Sequence, residues 1–284
     1  NLLHSGCPNV FVSGLPFDLT SPRVMGVLNV TPDSFSDGGR FVRIDEALRQ
    51  AEDMVAEGAA IIDIGGESTR PGAAAVPLQQ ELDRVLPVIE RLAAAFDVPI
   101  SIDTSKPEVM RAAVSAGARM INDVTALSAP GAIAAAAESA VPVCLMHMQG
   151  KPRTMQQAPQ YDDVVADIMR YLSDRVAACE AGGIARNRLL VDPGFGFGKT
   201  KAHNLALLKG LATFQRLGLP ILVGLSRKSM LGAVTGRAVE ERLAASVAAA
   251  LMAVERGARI VRVHDVAATV DALALWQAVT DTES

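Results

Sequence analysis

Acidic, amide and cationic residues in this chain recur at one kind of place, the last position or two of a short apolar run. Such runs end in Asn29, Asp63, Asp103, Asn122–Asp123, His147, Asp192, Gly224–Ser226 and Arg262–His264. A lone polar residue there is commonly a helix cap or turn former. Eight such endings in one chain are hard to attribute to capping alone, and the residue types divide by chemistry.

Asp103, Asn122 and Asp192 form one set. A carboxylate within an apolar run needs hydrogen-bond donors. A flat heterocycle with an aminopyrimidinone edge supplies a row of N–H groups, and an amide can both donate and accept. Lys228 adds a cation and donor for a ring carbonyl or nitrogen. The alternative for Asp103 is a cap on a helix starting near Lys106, which Thr104 or Ser105 could provide instead.

Arg70, Arg262 and His264 form a second, anion-seeking set, with Asn29 and Thr69 as neutral partners. The planar guanidinium fork suits phosphate oxygens. Gly38–Gly39 and Gly65–Gly66 permit close backbone approach. Arg262 lies inside the run Ile260–Val263, where an unpaired charge is costly. His264 reads equally well as a satisfied polar end of its run.

Two long loops follow the first two runs, VTPDSFSDGGRF (Val30–Phe41) and ESTRPGAAAVP (Glu67–Pro77). Such loops are often lids, with plain surface connection as the alternative. Phe35 favours a lid, since an apolar residue in a polar loop wants a surface to cover. The GFGFG of Gly194, Gly196 and Gly198 is not a GxGxxG nucleotide motif, and no GxxxxGK[ST] occurs. Phe195 and Phe197 fit a flat ligand wall or, equally, a tight turn with two core aromatics. Lys199 and Thr200 read as a solvated turn.

What must position these residues is a β, α repeat of about thirty residues. The runs Val24–Asn29, Ala60–Gly65, Pro99–Asp103, Arg119–Asp123, Pro142–His147, Arg188–Asp192, Pro220–Gly224 and Arg259–His264 are rich in Val, Ile or Leu. They read as strands buried on both faces. Gly58, Gly117, Gly182 and Gly257 fall where helices should stop. Leu78, Leu82, Val85, Leu86, Ile89, Leu92, Ala93 and Phe96 follow a helical face, which Pro87 should kink. Residues 45–57, 105–116, 162–181, 203–217, 239–256 and 266–278 read as further helices. The alternation predicts a single-domain α/β protein, a (β/α)8 TIM barrel over 21–284 preceded by a segment 1–20. A doubly wound open sheet is the rival. In a barrel every strand end, and so both residue sets, meets at one rim.

The bulk properties agree. Half of the 284 residues are hydrophobic and only 4% aromatic, the composition of an aliphatic core around a parallel sheet. A net charge of −4 argues against a nucleic-acid groove or a basic membrane surface. Cys7, Cys144 and Cys179 are odd in number and far apart, which argues against disulfides and thiolate metal sites. Cys144 reads as core. No apolar stretch is long enough to cross a bilayer. Asn1–Gly14 lacks the features of a signal peptide, and a cytoplasmic location is expected.

Eight segments, in order, carry a family likeness: MGVLNVTPDSFSDGG (Met25–Gly39), DIGGESTRPGA (Asp63–Ala73), SIDTSKP (Ser101–Pro107), INDV (Ile121–Val124), MHMQG (Met146–Gly150), DPGFGFGK (Asp192–Lys199), GLSRKS (Gly224–Ser229) and RVHDV (Arg262–Val266). Together they resemble bacterial dihydropteroate synthase. The first segment and SRKS are specific; INDV or RVHDV alone would mean little.

The resemblance implies a transferase of folate biosynthesis. It would join a pterin diphosphate to p-aminobenzoate through SN1-like loss of pyrophosphate. It implies a pterin pocket of Asp103, Asn122, Asp192 and Lys228, with Met146 packing on the ring. It implies a pyrophosphate site of Asn29, Thr69, Arg70, Arg262 and His264, with Asn29 also a ligand of Mg2+. Phe35, Pro71, Phe197 and Ser229 would hold p-aminobenzoate. Catalysis would fall to Asp103, Lys228, Arg70, Arg262 and His264. Sulfonamide sensitivity and a homodimer are implied as well. Two rivals stand beside it: a barrel lyase using Lys228 as an imine-forming amine, and a non-enzymatic protein, either a pterin-binding domain presenting folate to a corrinoid partner or an inactive paralogue. The Arg pair and the two loops count against the lyase. Phe35, Pro71 and Ser229 count against both non-enzymatic forms.

Overall fold

The computed structural model describes residues 12–30, 40–68, 73–150 and 154–282. The strands are β1 (Arg23–Asn29), β2 (Ile61–Gly65), β3 (Ile100–Asp103), β4 (Met120–Asp123), β5 (Val143–Met146), β6 (Leu189–Asp192), β7 (Ile221–Val223) and β8 (Ala258–Val263). They are parallel and close in chain order, with β8 pairing back onto β1. Closure excludes the open doubly wound alternative, and each expected run overlaps one strand.

The helices among the described residues are α1 (Arg40–Ala56), α2 (Leu78–Ala95), α3 (Pro107–Ser115), α4 (Ala132–Ser139), α5 (Val164–Ala181), α6 (Lys201–Lys209), α7 (Ser229–Thr235), α8 (Leu243–Glu255) and α9 (Val266–Thr280). Three depart from the sequence reading. The expected helix 203–217 divides at Gly210 into α6 and a 3-10 segment, Leu211–Leu217. A Cβ at Gly210 would stand 2.8 Å from Val165 Cγ2, so the glycine lets α5 pack close. α4 escapes periodicity because AIAAAAES has scarcely a polar face. α7 is only seven residues long, too short to show a period. α2 continues through Pro87.

Side chains alternate across each strand. Outward residues such as Ile62, Ile64, Ile102, Ile121, Leu145, Val191 and Val261 join the helices in one large core. Inward residues Met25, Ile61, Met120, Cys144, Leu190, Leu222 and Ile260 form a second, separate core inside the barrel. Two residues further along, the same alternation points Val27, Asp63, Asn122, Met146, Asp192 and Arg262 inward, one layer nearer the strand C-termini, with Gly224 just past the end of β7. The chemistry-bearing residues are therefore the next storey above an apolar floor.

The described part of the leading segment closes that floor. Val12, Leu15 and Leu19 are buried in the interior core, with Phe17 packed against it. Ser13 N donates to Asn187 O at 2.8 Å, fastening the segment beside the start of β6. Leu19→Ala should cost about 3 kcal/mol of stability, since the side chain is fully buried against seven strands' worth of inward residues. Urea denaturation checks this; an unshifted midpoint would show that the segment does not support the barrel.

Candidate active site

At the rim the strand register lays Asn29, Gly65, Asp103 and Asn122 in one row across β1 to β4. Arg262, from β8, reaches across the barrel. Its Nε donates to Asp63 Oδ2 at 2.6 Å and its Nη2 to Asp103 Oδ2 at 3.0 Å. Asn122 Nδ2 donates to the same Asp63 Oδ2 at 3.2 Å. Burial opposes the charge on Arg262, but Asp63 and Asp103 hold it above its ordinary range. Burial, and then the Asp63 carboxylate, push Asp103 up to about 7 despite Arg262. Two buried carboxylates share one cation. Asp63 Oδ1, Asn122 Oδ1 and Ser101 Oγ are buried with no hydrogen-bond partner. Buried acceptors in that state are the signature of a missing donor. The cap reading of Asp103 fails, since Thr104 Oγ1 accepts from Lys106 N and the Asp103 carboxylate engages Arg262.

On the opposite arc, Asp192 ends β6, and its Oδ1 accepts from Gly194 N at 2.7 Å. Burial pushes Asp192 up to about 6, against the pull of that N–H and of Lys228. Met146, buried at the end of β5, is its register partner. Lys228 Nζ lies 4.3 Å from the centroid of the Phe197 ring, a cation–π contact. Lys228 precedes α7, and Ser229 is that helix's exposed first residue. Of the two GFGFG aromatics, Phe195 is core at 1% exposure, as the core reading has it, whereas Phe197 faces Lys228.

Between these arcs lies the end of β8. His264 Nδ1 is 3.0 Å from Ser226 Oγ, which also accepts from His264 N. Burial, and then Arg262, pull His264 down to about 4, so it stands in the anion-seeking set as a neutral donor rather than a cation. A bound anion would raise it. Arg227, in the left-handed region at φ 58, forms a two-pronged ion pair with Asp265. That pair ties the loop bearing Lys228 to the loop bearing His264. A Cβ at Gly65 would stand 3.7 Å from Asp103 Oδ2 and 3.9 Å from Asn29 Oδ1, so both oxygens face one space.

The structure thus gathers Asn29, Asp103, Asn122, Met146, Asp192, Phe197, Lys228, Ser229, Arg262 and His264 at one end of the barrel. Phe35, Thr69, Arg70 and Pro71 lie outside the described residues. In the sequence Asp63 is only a strand end, yet it anchors Arg262; its parity with Arg262 on an inward face is the signal the sequence offers. Lys199 is corrected. It is buried at 3% exposure, not a solvated turn, while Thr200 caps α6. Sequence reading also missed Lys106, whose ammonium bridges Glu67 and the fully buried Glu81 at the foot of the second long loop. Nothing in the spacing announces that bridge.

Among the described residues no group of three or more His, Cys, Asp or Glu side chains could hold a metal ion. The rim does offer Asn29 Oδ1, a hard oxygen. Mg2+ commonly takes one or two protein oxygens and completes its shell with substrate phosphates and water. Asn29 therefore fits a cation that arrives with a diphosphate. No described helix is long and apolar enough to cross a membrane.

The raised Asp103 carries a stability consequence of definite sign. A carboxyl whose folded pKa exceeds its unfolded value binds its proton more tightly when folded, so stability is lost as pH rises from about 4 towards 7. Asp103→Asn should remove that loss and be more stable than the parent at pH 8 by of order 3 kcal/mol, with little difference at pH 4. Urea midpoints at the two pH values test this; parallel behaviour of parent and variant would refute it.

The comparisons with known proteins bear on this site. A family model described as "Pterin binding enzyme" matches residues 25–264. The dihydropteroate synthase of Escherichia coli (strain K12) is 55% identical over 269 residues, covering 95% of this chain and 95% of that protein. The solved structure of Xanthomonas albilineans dihydropteroate synthase with 4-aminobenzoic acid aligns with a TM-score of 0.92 at 55% identity, over 97% of this chain and 100% of that one. The same enzyme in complex with 7,8-dihydropteroate gives a TM-score of 0.88 at 53% identity, with the same coverage. With a closed barrel and near-full-length identity of this order, the chain belongs to the dihydropteroate synthase family of pterin binding enzymes.

Proposed function

We propose that this chain condenses 6-hydroxymethyl-7,8-dihydropterin diphosphate with p-aminobenzoate to give 7,8-dihydropteroate and pyrophosphate. The observation that carries this reading is the set of buried acceptors without partners, Asp63 Oδ1 and Asn122 Oδ1, beside the raised carboxyls of Asp103 and Asp192. An aminopyrimidinone edge offers the N–H row such acceptors lack. Relatives bound to 4-aminobenzoic acid and to 7,8-dihydropteroate support the two ends of the reaction.

In this reading Asp103, Asn122, Asp192 and Lys228 hold the pterin, with Met146 packed on its ring. Asn29, Thr69, Arg70, Arg262 and His264 receive the diphosphate. Phe35, Pro71, Phe197 and Ser229 receive p-aminobenzoate. The C–O bond breaks first, its electron pair leaving on pyrophosphate, and the pterin ring delocalises the methylene cation. Asp103 is the group best placed to favour that cation. Burial makes its ionised form costly in the free enzyme, and positive charge in the transition state relieves the cost. Arg262 and His264 stabilise the departing anion. Mg2+, when held with the diphosphate through Asn29, would neutralise charge on its oxygens. The aniline nitrogen then forms the C–N bond, and the resulting ammonium, being acidic, releases its proton without a strong base. No Ser-His-Asp or Cys-His arrangement is required.

The imine-forming alternative fits poorly. Lys228 Nζ sits over the Phe197 ring, a contact that favours ammonium, whereas an imine-forming amine must be neutral. A homodimer is also proposed, because Leu275 and Val279 on α9 and Met252 on α8 are exposed apolar side chains; sedimentation equilibrium reads it directly.

Purified chain should release pyrophosphate only when both substrates are present. Release without p-aminobenzoate, or none at all, would overturn the assignment. Lys228→Met should weaken pterin binding by about tenfold or more; calorimetric affinity equal to the parent's would remove Lys228 from the pocket. Borohydride with substrate should leave Lys228 unmodified, and an adduct there would revive the lyase. Arg262→Ala should lose diphosphate affinity and also stability, since it strands Asp63 and Asp103 without their cation.

A further inference from the structure

We propose that Lys199 is a positioning residue that fixes the Gly194–Gly198 turn so that Phe197 stands ready for the p-aminobenzoate ring. This rests on the substrate reading above and extends it to a residue that reading does not use. Lys199 Nζ is buried and has three partners: Gly194 O at 2.7 Å, Phe197 O at 2.9 Å and His147 Nδ1 at 3.0 Å. Only an ammonium has three N–H donors for three acceptors. His147 suits the arrangement. Burial, and then Lys199 itself, pull it down to about 3, leaving a neutral ring whose Nδ1 accepts and whose Nε2 carries the proton.

The turn is built around that ammonium. Gly194 has φ +74, and a Cβ there would lie 1.9 Å from His147 O, so the chain passes against the end of β5 where no other residue fits. Asn204 Oδ1 accepts from Gly196 N at 2.8 Å, Gln156 donates to Gly196 O at 2.6 Å, and Tyr161 donates to Gly198 O at 2.8 Å. These contacts grip the turn at its glycines. Lys199 donates directly to the carbonyl of Phe197, the residue whose ring meets Lys228. Burial pulls Lys199 down to about 7, against the attraction of Asp192. A buried lysine is costly to keep, and geometry rather than stability is what its three contacts supply. Asp192 is held by the β6 ladder, so loss of Lys199 should be felt at Phe197 first.

The test compares the parent, Lys199→Met, Lys199→Gln, Phe197→Ala and the double variant Lys199→Met/Phe197→Ala. Parent turnover that requires both substrates secures the underlying reading; its failure would sink that reading separately. Given it, Lys199→Met should raise KM for p-aminobenzoate about tenfold while pterin diphosphate affinity stays within about threefold. Lys199→Gln, which keeps donors, should fall between. In the Phe197→Ala background Lys199→Met should add little, since both changes act on one ring. Unchanged KM, equal losses for both substrates, or additive effects in the double variant would each overturn the proposal. Should the Lys199 variants not fold, amide exchange in the parent decides. Phe197 N–H must exchange as slowly as amides of β6, and exchange at the rate of exposed loops would overturn the proposal.

Discussion

A single guanidinium, carried in from β8, keeps the mouth of this barrel charged and open. Arg262 spans Asp63 on β2 and Asp103 on β3, and Asn122 on β4 donates to the same Asp63 oxygen. Four strands are thereby joined by side chains as well as by the backbone ladder. The arrangement is not economical. One cation serves two buried carboxylates, and burial, then the neighbouring Asp63, holds Asp103 well above its ordinary protonation range in spite of Arg262. An apolar pair in the same place would cost less. What the ionic arrangement supplies instead is an electrostatic field already oriented before any ligand arrives.

The alternation of the strands turns this into a layered object. Inward positions carry Met25, Ile61, Met120, Cys144, Leu190, Leu222 and Ile260 in one storey, and acids, amide and arginine in the next. A parallel barrel imposes a common direction on all its strands, so a change from apolar to polar at the same inward step in β2, β4, β6 and β8 produces one polar chamber rather than scattered surface charges. The second-storey residues are fixed to secondary structure. The loops after β6 and β7 add Phe197 and Lys228, and those loops are themselves held, the one by Lys199, the other by the Arg227–Asp265 pair.

Much of this was legible from the chain. The strands announced themselves because each is a compact aliphatic run, buried on both faces and ended by a polar residue. Asp103, Asn122, Asp192 and Arg262 stood out for the same reason: charge or amide inside such a run demands a partner. What stayed hidden depended on distance or on weak periodicity. Lys199 follows a glycine-rich turn in sequence, where lysines are usually solvated, and only the closure of that turn over His147 buries it. Asp63 looked like any strand end until its inward parity set it beside Arg262. Lys106 and Glu81 lie 25 residues apart and share no pattern. α4 and α7 lacked either a polar face or the length to display one.

Val12, Leu15 and Leu19 stopper the barrel from below. Among the described residues, the polar storey is therefore shut to water from below. A molecule seated across the opening dries every group beneath it in one event, and the dielectric around Asp63, Asp103, Asp192 and Arg262 falls for all of them together. The chamber behaves as a bottle: its internal electrostatics are switched by the cork, not by any one of the walls.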